Sequence, residues 1–575
     1  MENPTATKPS MLPVVEMATR LMEQNLGSGL WDAQVREPDV LWFRIDRQML
    51  RTATVVLLKE LKARFLISAG TDLRAQEKGY GILHLFSLDR EGVFLALDCL
   101  VPEWEERIDS ITPLIPGADW SERECRDAVG VEARGHPDPR RLILPDDWPE
   151  GAFPLRRDFP YNERPPAAEG VRPAPKEHPE GTTVIPIGPF FPSLEEPSNW
   201  RIFLEGETVK GCDYRGFYNH RGIEKLGDSV LTWDRIPYVA ERICGICGFI
   251  HSTCYCQAAE KAAGLQPPRR AEFIRTLMLE LERIHSHLLW LGIAGHIVGF
   301  DTVLMQTWRI REPVMWLSEE ISGNRKTYGM NAVGGVRRDI RPEQMPKIQD
   351  VVRKVEEEVL ALKKAIVGDT TLLARTRGVG ILTEQWAKEI CVVGPPARAS
   401  GVPIDARLDH PYAAYDAVPP TLCTQEEGDT WARVLVRVDE VVDATRIIRE
   451  CLDQMPAGPV MSVMEGEFPD GRVGVSVVEA PRGEAIHFVM TGGLNRPYRW
   501  RVRAPTYPNL QAMPAMIQDQ QLADVPIILG SLDPCFSCTE RMEAVDRRTG
   551  ARRVYSWEEL ETMARRAAEE RGAPS

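Results

Sequence analysis

The chain has 575 residues, a formal net charge of −14 at pH 7 and a sequence pI near 5.4. This length exceeds what one hydrophobic core usually organises, so two to four domains are expected. The acidic balance offers no basic surface for a phosphate backbone and argues against a nucleic-acid partner. No apolar run approaches the ~20 residues of a membrane-spanning helix, and the N-terminus lacks a secretion signal. We therefore expect a cytoplasmic chain with no direct membrane span.

The first domain alternates helical and strand patterns. Residues 54–70 predict a helix that runs into a strand, because an amphipathic stretch is followed by a short apolar one. Residues 81–101 predict two strands joined by a turn at 89–92. Together these elements indicate a compact α+β domain over residues 1–159.

The end of this domain is rich in turn-forming residues. Residues 121–159 are dense in Gly, Pro, Asp and Arg and predict an ordered surface loop rather than a helix. His136 and Asp138 lie in this stretch, and a turn role is favoured for them over a metal site. Residues 160–181, rich in Pro, Glu and Ala without apolar periodicity, predict an extended linker.

Two cysteine pairs stand far apart in the second half of the chain. Cys244 and Cys247 form one CxxC pair, and Cys535 and Cys538 form another near the C-terminus. Together they supply four soft ligands to one buried metal centre, as thiolates do for zinc, iron clusters and other late transition metals. The scattered cysteines are expected to be small core residues: Cys99, Cys125, Cys212, Cys391, Cys423 and Cys451.

A local metal site is an alternative, because Cys254 and Cys256 follow the first pair closely. If a helix begins near Cys247, however, seven helical residues separate Cys247 from Cys254. At 1.5 Å per residue this is about 10 Å, too far for one tetrahedral metal unless the helix breaks. The periodicity therefore favours a buried helix and makes the local site the weaker hypothesis.

The rest of this half predicts a mainly helical fold with a small β region. Residues 269–292 and 343–366 have the periodicity of long amphipathic helices, and His285 falls on the inward side of the first. Short apolar runs after residue 182 predict a small sheet that leads into a loop. Arg221 and Glu224 are expected by default to form a surface pair of little energetic value.

The motifs ERICGICGFIH, EAPRG (Glu479–Gly483) and DPCFSCTER together resemble those of the large subunit of NiFe hydrogenases. Residues 121–159 resemble the signature of the 30-kDa subunit of respiratory NADH:quinone oxidoreductase, a docking domain with no known chemistry. The fusion of both is similar to enzymes of the formate hydrogenlyase and hydrogenase-4 type. The resemblance implies four segments: a 30-kDa-like domain at 1–159, a linker at 160–181, a catalytic domain at 182–541, and a C-terminal extension at 542–575.

The resemblance implies an oxidoreductase that acts on hydrogen at a Ni–Fe centre. Cys244 and Cys535 are then terminal nickel ligands, whereas Cys247 and Cys538 bridge nickel to an iron that carries CN and CO. Four thiolates suit a soft, electron-rich nickel. A terminal thiolate such as that of Cys535 takes up the proton when hydrogen is split.

Further site residues follow from the same resemblance. Arg482 matches an arginine that places its guanidinium over the open side of the metals, where a fixed cation stabilises developing charge. Thr506 matches a Ser or Thr that hydrogen-bonds a cyanide ligand. Asp533 matches the acid that precedes the second cysteine pair and is expected to hold Arg482 in place.

Proton transfer is assigned by resemblance to Glu196, since a carboxyl buried beside a metal site can have a pKa near working pH. Its neighbour Glu195 is one residue away, so the register of this match stays open. His251 is expected to hydrogen-bond near a bridging thiolate. His285 and His287 are weaker candidates for the same outer layer.

The implied partners are a small iron–sulfur subunit with a 4Fe–4S cluster, further iron–sulfur proteins and membrane subunits. The chain itself is expected to carry no such cluster and to lie on the cytoplasmic face of the inner membrane. In similar hydrogenases a dedicated maturation protease removes the C-terminal segment, which predicts cleavage after Arg541. Arg541 replaces the histidine of many relatives, which puts a nearby magnesium site and any role of Glu224 in doubt. Residues 542–575 predict a charged amphipathic helix, and Ser556–Glu559 within this segment match a capping box.

Two other functions remain as alternatives. A non-metal quinone-site subunit of the respiratory enzyme would lack the four cysteines and carry histidines in a loop where residues 188–205 contain none. A structural zinc protein would leave Arg482 and Glu196 without a role. The direction of catalysis, the oxygen tolerance and the electron donor, whether formate, carbon monoxide or ferredoxin, are not determined by the sequence.

Overall fold

The computed structural model describes residues 12–36, 39–162, 165–168, 175–188, 190–191, 196–217, 220–464, 466–536, 544–545 and 552–553. The N-terminal region contains α1 (Leu12–Leu26), β1 (Leu30–Arg36), β2 (Val40–Ile45), α2 (Leu50–Val55), β3 (Arg64–Asp72), α3 (Arg74–Glu77), β4 (Gly79–Leu88), β5 (Val93–Pro102), β6 (Arg107–Asp109), α4 (Asp119–Val129) and β7 (Glu132–Arg134). Its main sheet has the order β1-β2-β5-β4-β3, with β2 and β5 parallel and the other pairs antiparallel. The predicted helix-to-strand segment and the two strands across a turn are confirmed.

Both faces of this sheet are buried. Successive side chains of a strand point to opposite faces, and in β2 the residues Leu41 and Phe43 pack into the core of the N-terminal region. Val40 and Trp42 point the other way and pack against a sheet from the C-terminal part of the chain. The N-terminal region therefore shares a hydrophobic core with the second half.

The loop predicted for residues 121–159 is wrong at its beginning. Asp119–Val129 forms helix α4, which buries Trp120, Cys125 and Val129 and ends at Gly130 in the left-handed conformation. The Gly- and Pro-rich composition belongs to the segment after this helix. There the Asp127 carboxylate accepts the backbone N–H groups of residues 142–144 and orders the loop as predicted.

The linker leads to a small sheet. The described residues among 160–181 form no helix or strand. Next come β8 (Thr183–Ile187), β9 (Phe190–Phe191), β10 (Glu196–Pro197), β11 (Asn199–Glu205), β12 (Thr208–Arg215), α5 (Ile223–Ser229) and α6 (Ile236–Ala240). Strands β12, β11 and β8 pair in that order and are antiparallel, which confirms the predicted small sheet.

The centre of the second half is helical. It contains α7 (Gly248–Ala263), α8 (Arg269–Ile297), α9 (Asp301–Ser322), β13 (Asn331–Ala332), β14 (Gly335–Val336), α10 (Met345–Val367), α11 (Thr370–Thr376), α12 (Glu384–Glu389), α13 (Pro395–Arg398), α14 (Ala406–Asp409) and α15 (Thr430–Gln454). Helix α8 is buried on nearly all sides and packs against α9 and α15, as expected of a central helix. The helices predicted at 269–292 and 343–366, and the one predicted to begin near Cys247, are confirmed.

The last part adds a sheet and short helices: β15 (Val473–Ala480), β16 (Gly483–Gly492), β17 (Arg496–Arg503), α16 (Thr506–Asn509), α17 (Met513–Ile517), α18 (Val525–Ser531), β18 (Ala544–Val545) and β19 (Arg552–Arg553). Because β18 pairs with β19, the helix predicted for residues 542–575 is wrong at these four residues. Ser556–Glu559 and the rest of that segment lie outside the described residues. Among the helices that the structure describes, none is long and apolar enough to cross a membrane.

The mixed α/β content and the N-terminal sheet agree with the predicted fold class. The scattered cysteines are buried as expected, with Cys423 partly exposed.

Candidate metal centre

One cysteine of each pair, Cys244 and Cys535, approaches the other in the interior. Cys244 and Cys247 lie in the loop before α7, and Cys247 caps that helix. The Sγ atoms of Cys244 and Cys535 are 3.2 Å apart, although 291 positions separate the residues in sequence. The side chains of Cys244, Cys247 and Cys535 are at most 2% exposed. Cys538 lies outside the described residues, and the assignment of all four cysteines as metal ligands stays a prediction.

Burial and mutual proximity disfavour negative charge on these sulfurs when they stand alone. The neighbouring Cys244 thiol and burial both raise the pKa of Cys247 well above its usual range. Backbone N–H groups of Ile246 and Cys247 lie 3.4 and 3.3 Å from the Cys244 Sγ atom and give it partial support. Several thiolates this close are stable only beside strong positive charge, which a soft metal group supplies.

Arg482 is presented by a tight turn between β15 and β16. Ala480 pairs with Gly483, so only Pro481 and Arg482 form the loop. Gly483 has a φ of +127°, and a Cβ atom there would lie 2.7 Å from a backbone carbon of Val393. Only glycine suits this conformation and this close approach, and the turn is therefore held in one place.

The predicted partnership of Arg482 with Asp533 exists in the structure. The Arg482 Nε and Nη2 atoms donate to the Asp533 carbonyl and Oδ1 atoms, both at 2.8 Å, and Nη1 donates to Ser286 Oγ at 3.1 Å. Burial raises the pKa of Asp533 even though Arg482 opposes this. Asp533 Oδ2 has no hydrogen-bond partner among the described residues, and the backbone of Asp533 is left-handed with φ +54°. Strain of this kind is typical of functional sites.

Thr506 lies directly beside the second cysteine pair. Its Oγ1 atom accepts the backbone N–H of Cys535 at 3.1 Å. This contact uses a lone pair of the hydroxyl and leaves its proton available for donation. The geometry thus fixes the Cys535 backbone and suits the expected donation to a cyanide ligand.

His251 ends a buried chain of three rings. Trp500 Nε1 donates to His487 Nδ1 at 3.1 Å, so the proton of His487 is on Nε2, which lies 3.2 Å from His251 Nδ1. Burial lowers the pKa of His251 to about 4 and that of His487 well below its usual range, so both rings are neutral at pH 7. The proton of His251 is therefore on Nε2, a buried atom with no acceptor in the described part of the chain. Sequence reasoning found His251 but missed His487 and Trp500.

Glu282 is a buried carboxyl that sequence reasoning missed. It accepts the backbone N–H groups of Phe249 and Ile250, at 3.0 and 2.9 Å, and so stabilises the start of α7 next to the cysteine loop. Burial raises its pKa to about 8, although these two N–H groups oppose the shift. An acidic residue within an apolar helix three positions before His285 was the available signal in the sequence.

The two weaker histidine candidates differ in their surroundings. Both ring nitrogens of His285 are buried and have no hydrogen-bond partner among the described residues. His287 Nε2 lies 2.9 Å from Glu440 Oε2 in a network of buried ion pairs. The residue between them, Ser286, contacts Arg482.

The predicted proton-relay residue is placed only by its backbone. Glu196 lies in β10 and pairs with Phe191 in β9, and its side chain is outside the described residues, as are Glu195 and Arg541. Glu224 is not a simple surface residue, because its carboxylate accepts Arg499 Nη1 at 2.7 Å, Arg501 Nη1 at 3.1 Å and the Val502 N–H at 3.0 Å. The surface pair expected of Arg221 and Glu224 is therefore wrong for Glu224.

The structure gives no support to a local site at Cys254 and Cys256. Helix α7 is unbroken over both residues, the Cys254 thiol donates to the Ser476 carbonyl, and Cys256 packs into a different hydrophobic cluster. Within the described ranges, no three His, Cys, Asp or Glu side chains are grouped as metal ligands.

Three known protein families match successive parts of the chain. Residues 43–165 match the family described as respiratory-chain NADH dehydrogenase, 30 Kd subunit. Residues 221–301 match nickel-dependent hydrogenase. Residues 298–470 and 461–541 match respiratory-chain NADH dehydrogenase, 49 Kd subunit. The fold and these matches define a class of subunits related both to hydrogenases and to the respiratory chain.

Individual relatives narrow this class. Formate hydrogenlyase subunit 5 and hydrogenase-4 component G, both of Escherichia coli K12, are each 40% identical to this chain, over 86% of it and over 87% and 86% of their own lengths. The chain therefore belongs to the family of these two proteins. Membrane-bound hydrogenase subunit alpha of Pyrococcus furiosus is 40% identical over 63% of this chain and 88% of its own.

A solved structure supports the fold. One chain of the membrane-bound sulfane sulfur reductase, an archaeal respiratory membrane complex, is 29% identical with a TM-score of 0.59, over 63% of this chain and 99% of its own.

Proposed function

We propose that the chain is the catalytic subunit of a NiFe hydrogenase that interconverts H2 with protons and electrons in a formate hydrogenlyase-like complex. The observation that carries the proposal is the 3.2 Å approach of Cys244 and Cys535 within the electrostatic reach of Arg482. Membership of a family with hydrogenase components and the nickel-dependent hydrogenase match at residues 221–301 support it.

The residues around the sulfurs fit such a centre. Sulfur donors and a guanidinium fixed by Asp533 lie in this part of the interior, and two buried polar atoms, His251 Nε2 and Asp533 Oδ2, have no hydrogen-bond partner among the described residues. Cys244, Cys247, Cys535 and Cys538 would hold a Ni–Fe group with CN and CO on iron. When bound, this group supplies the redox chemistry of hydrogen.

The protein supplies protons, fixed charge and orientation. The Cys535 thiolate accepts a proton at Sγ, and Glu196 carries it onward. Arg482 stabilises negative charge at the open side of the centre because Asp533 and Ser286 fix its guanidinium. Thr506 donates a hydrogen bond to a cyanide ligand, and His251 donates one near a bridging thiolate.

The proposal extends to the assembly. Electrons pass to a small iron–sulfur subunit and further iron–sulfur proteins, and membrane subunits anchor the complex at the cytoplasmic face of the inner membrane. A protease completes maturation by cleavage after Arg541. The division into segments 1–159, 160–181, 182–541 and 542–575 belongs to the same proposal.

A quinone-site function without metal is the second candidate, because residues 298–541 match the 49 Kd family and an NADH-quinone oxidoreductase component of Salinibacter ruber is 33% identical. The two functions predict opposite results for one experiment. The complex is purified and assayed for nickel and for hydrogen evolution with a reduced artificial donor. We expect nickel and activity in the wild type and neither in Cys535→Ser.

Cys423→Ser is the matched control, since Cys423 is partly exposed and is not one of the proposed ligands; it should retain both nickel and activity. A nickel-free wild-type complex that reduces quinone would overturn the hydrogenase proposal.

A further inference from the structure

Helix α4 of the N-terminal region reaches the residue that follows Thr506. The Tyr507 hydroxyl donates to Glu124 Oε2 at 2.7 Å. The Tyr507 ring meets the Trp120 ring edge to face, with centroids 5.5 Å apart at 87°. Trp120 and Glu124 are four positions apart and therefore lie on one face of α4. We call this pair the α4 clasp.

Buried ion pairs hold the Glu124 carboxyl of the clasp in place. Arg501 donates through Nη1 and Nη2 to both oxygens of Glu124, and Nη1 also contacts Glu224 Oε1. The Arg501 Nε atom donates to the Ser68 carbonyl in β3, so the arginine spans both halves of the chain. These side chains are at most 13% exposed, and a buried carboxylate held by two N–H donors has little freedom to move.

The α4 clasp contacts Tyr507, and the neighbouring residue Thr506 contacts the predicted metal ligand Cys535. Tyr507 and Thr506 are adjacent in the single turn of α16, so contacts that hold Tyr507 also hold the backbone that carries the Thr506 hydroxyl. The Thr506 Oγ1 atom in turn accepts the Cys535 N–H. A displacement at Tyr507 would thus pass directly to the backbone of Cys535 and to the donor available for a cyanide ligand.

We infer that the N-terminal region is part of the catalytic apparatus: Trp120 and Glu124 are positioning residues that hold Tyr507, and through Thr506 they orient Cys535 and the iron-bound cyanide. This inference rests on the proposed function. It gives a chemical role to a region whose resemblance implied docking alone.

The test uses the purified complex with Glu124→Ala, Tyr507→Phe and the double variant. The readouts are the infrared bands of the CN ligands and the turnover number at saturating substrate. We expect each single variant to shift a CN band and to lower turnover by about tenfold, because small misplacements of reacting groups are costly. If the two residues act through one contact, the double variant is no worse than either single one.

Glu122→Gln is the matched control. Glu122 is a buried acid on the same helix, but it accepts from Ser110, Ile111 and Thr112 within the N-terminal region. It should weaken that region and leave the CN bands unchanged. If Glu124→Ala fails to fold, Tyr507→Phe still decides the question, since it removes one hydroxyl.

Two results would overturn the inference: unchanged CN bands in Tyr507→Phe, or an equal band shift in Glu122→Gln. A wild-type complex without CN bands would instead overturn the proposed function itself, so the two failures are distinguishable.

Discussion

Glu484 joins the turn of Arg482 to the N-terminal sheet, and its ionisation should contribute measurably to stability. It follows Gly483, and its two carboxylate oxygens accept Arg64 Nη1 and Nη2 at 3.1 and 2.9 Å. Arg503 donates to the same carboxylate from β17. Burial raises the pKa of Glu484, yet Arg64 and Arg503 outweigh burial and lower it to about 2.

The magnitude follows from this pKa. A carboxyl that falls from an ordinary value of 4.5 to about 2 gains about 3 kcal/mol of folding stability at neutral pH. Glu484→Gln also leaves the buried Arg503 guanidinium without its anion, whereas Arg64 keeps its pair with Asp89; breaking a buried pair in this way costs about 3–5 kcal/mol. The pKa shift and the broken ion pair both predict that Glu484→Gln lowers the free energy of unfolding by about 3 kcal/mol at pH 7.

The assay is urea unfolding of the full chain followed by tryptophan fluorescence at several pH values. Because the folded-state pKa is depressed, the contribution is fully present above pH 4.5 and is lost as pH falls towards 2. The difference between wild type and Glu484→Gln should therefore be largest at pH 7 and shrink below pH 4.5.

An exposed acid provides the control for this series. Glu132 pairs with Arg107, and both side chains are more than half exposed, so Glu132→Gln should cost less than about 1 kcal/mol. A loss below about 1 kcal/mol for Glu484→Gln at pH 7, or one that does not change with pH, would refute the reasoning.

Further predictions concern the site and its surroundings. Asp533→Asn leaves the buried Arg482 guanidinium without its anion and should lower the free energy of unfolding by about 3 kcal/mol in urea. Trp500→Phe removes the N–H donor to His487 and should cost about 1–3 kcal/mol in the same assay. Burial raises the pKa of Asp409 to about 7, so wild-type stability should fall as pH rises from about 4 to 7. Asp409→Asn should remove that part of the pH profile.

A specific experimental outcome would contradict each of these predictions. A loss for Asp533→Asn no larger than that for Asp416→Asn, which breaks an exposed pair with Arg269, would contradict the first. A Trp500→Phe variant as stable as the wild type would contradict the buried ring chain. If the stability of Asp409→Asn depends on pH as that of the wild type does, a group other than Asp409 titrates between about pH 4 and 7.

The sequence predicted the helices and motifs that depend on local residue patterns. Helices α7, α8 and α10 follow from apolar periodicity, and the CxxC spacing is enough to identify Cys244 and Cys535, whose Sγ atoms are 3.2 Å apart, as potential ligands. The helix α4 was missed because turn-forming residues after Val129 dominated its surroundings.

Pairing between distant segments was not predictable from pattern. The ring chain of His251 joins helix α7 to strands β16 and β17. Nothing local in any one of these segments indicates its partners, because the contacts depend on how the sheet packs on the helix. Trp120 and Glu124 likewise acquire their role only when α4 packs against Tyr507.

The central claim is that sulfur atoms of the two cysteine pairs hold nickel. X-ray absorption at the nickel edge of the purified complex tests it most directly. We expect nickel coordinated by four sulfur atoms in the wild type, and loss of nickel or of one sulfur neighbour in Cys535→Ser. Nickel surrounded only by nitrogen and oxygen, or an active complex that contains no nickel, would contradict it.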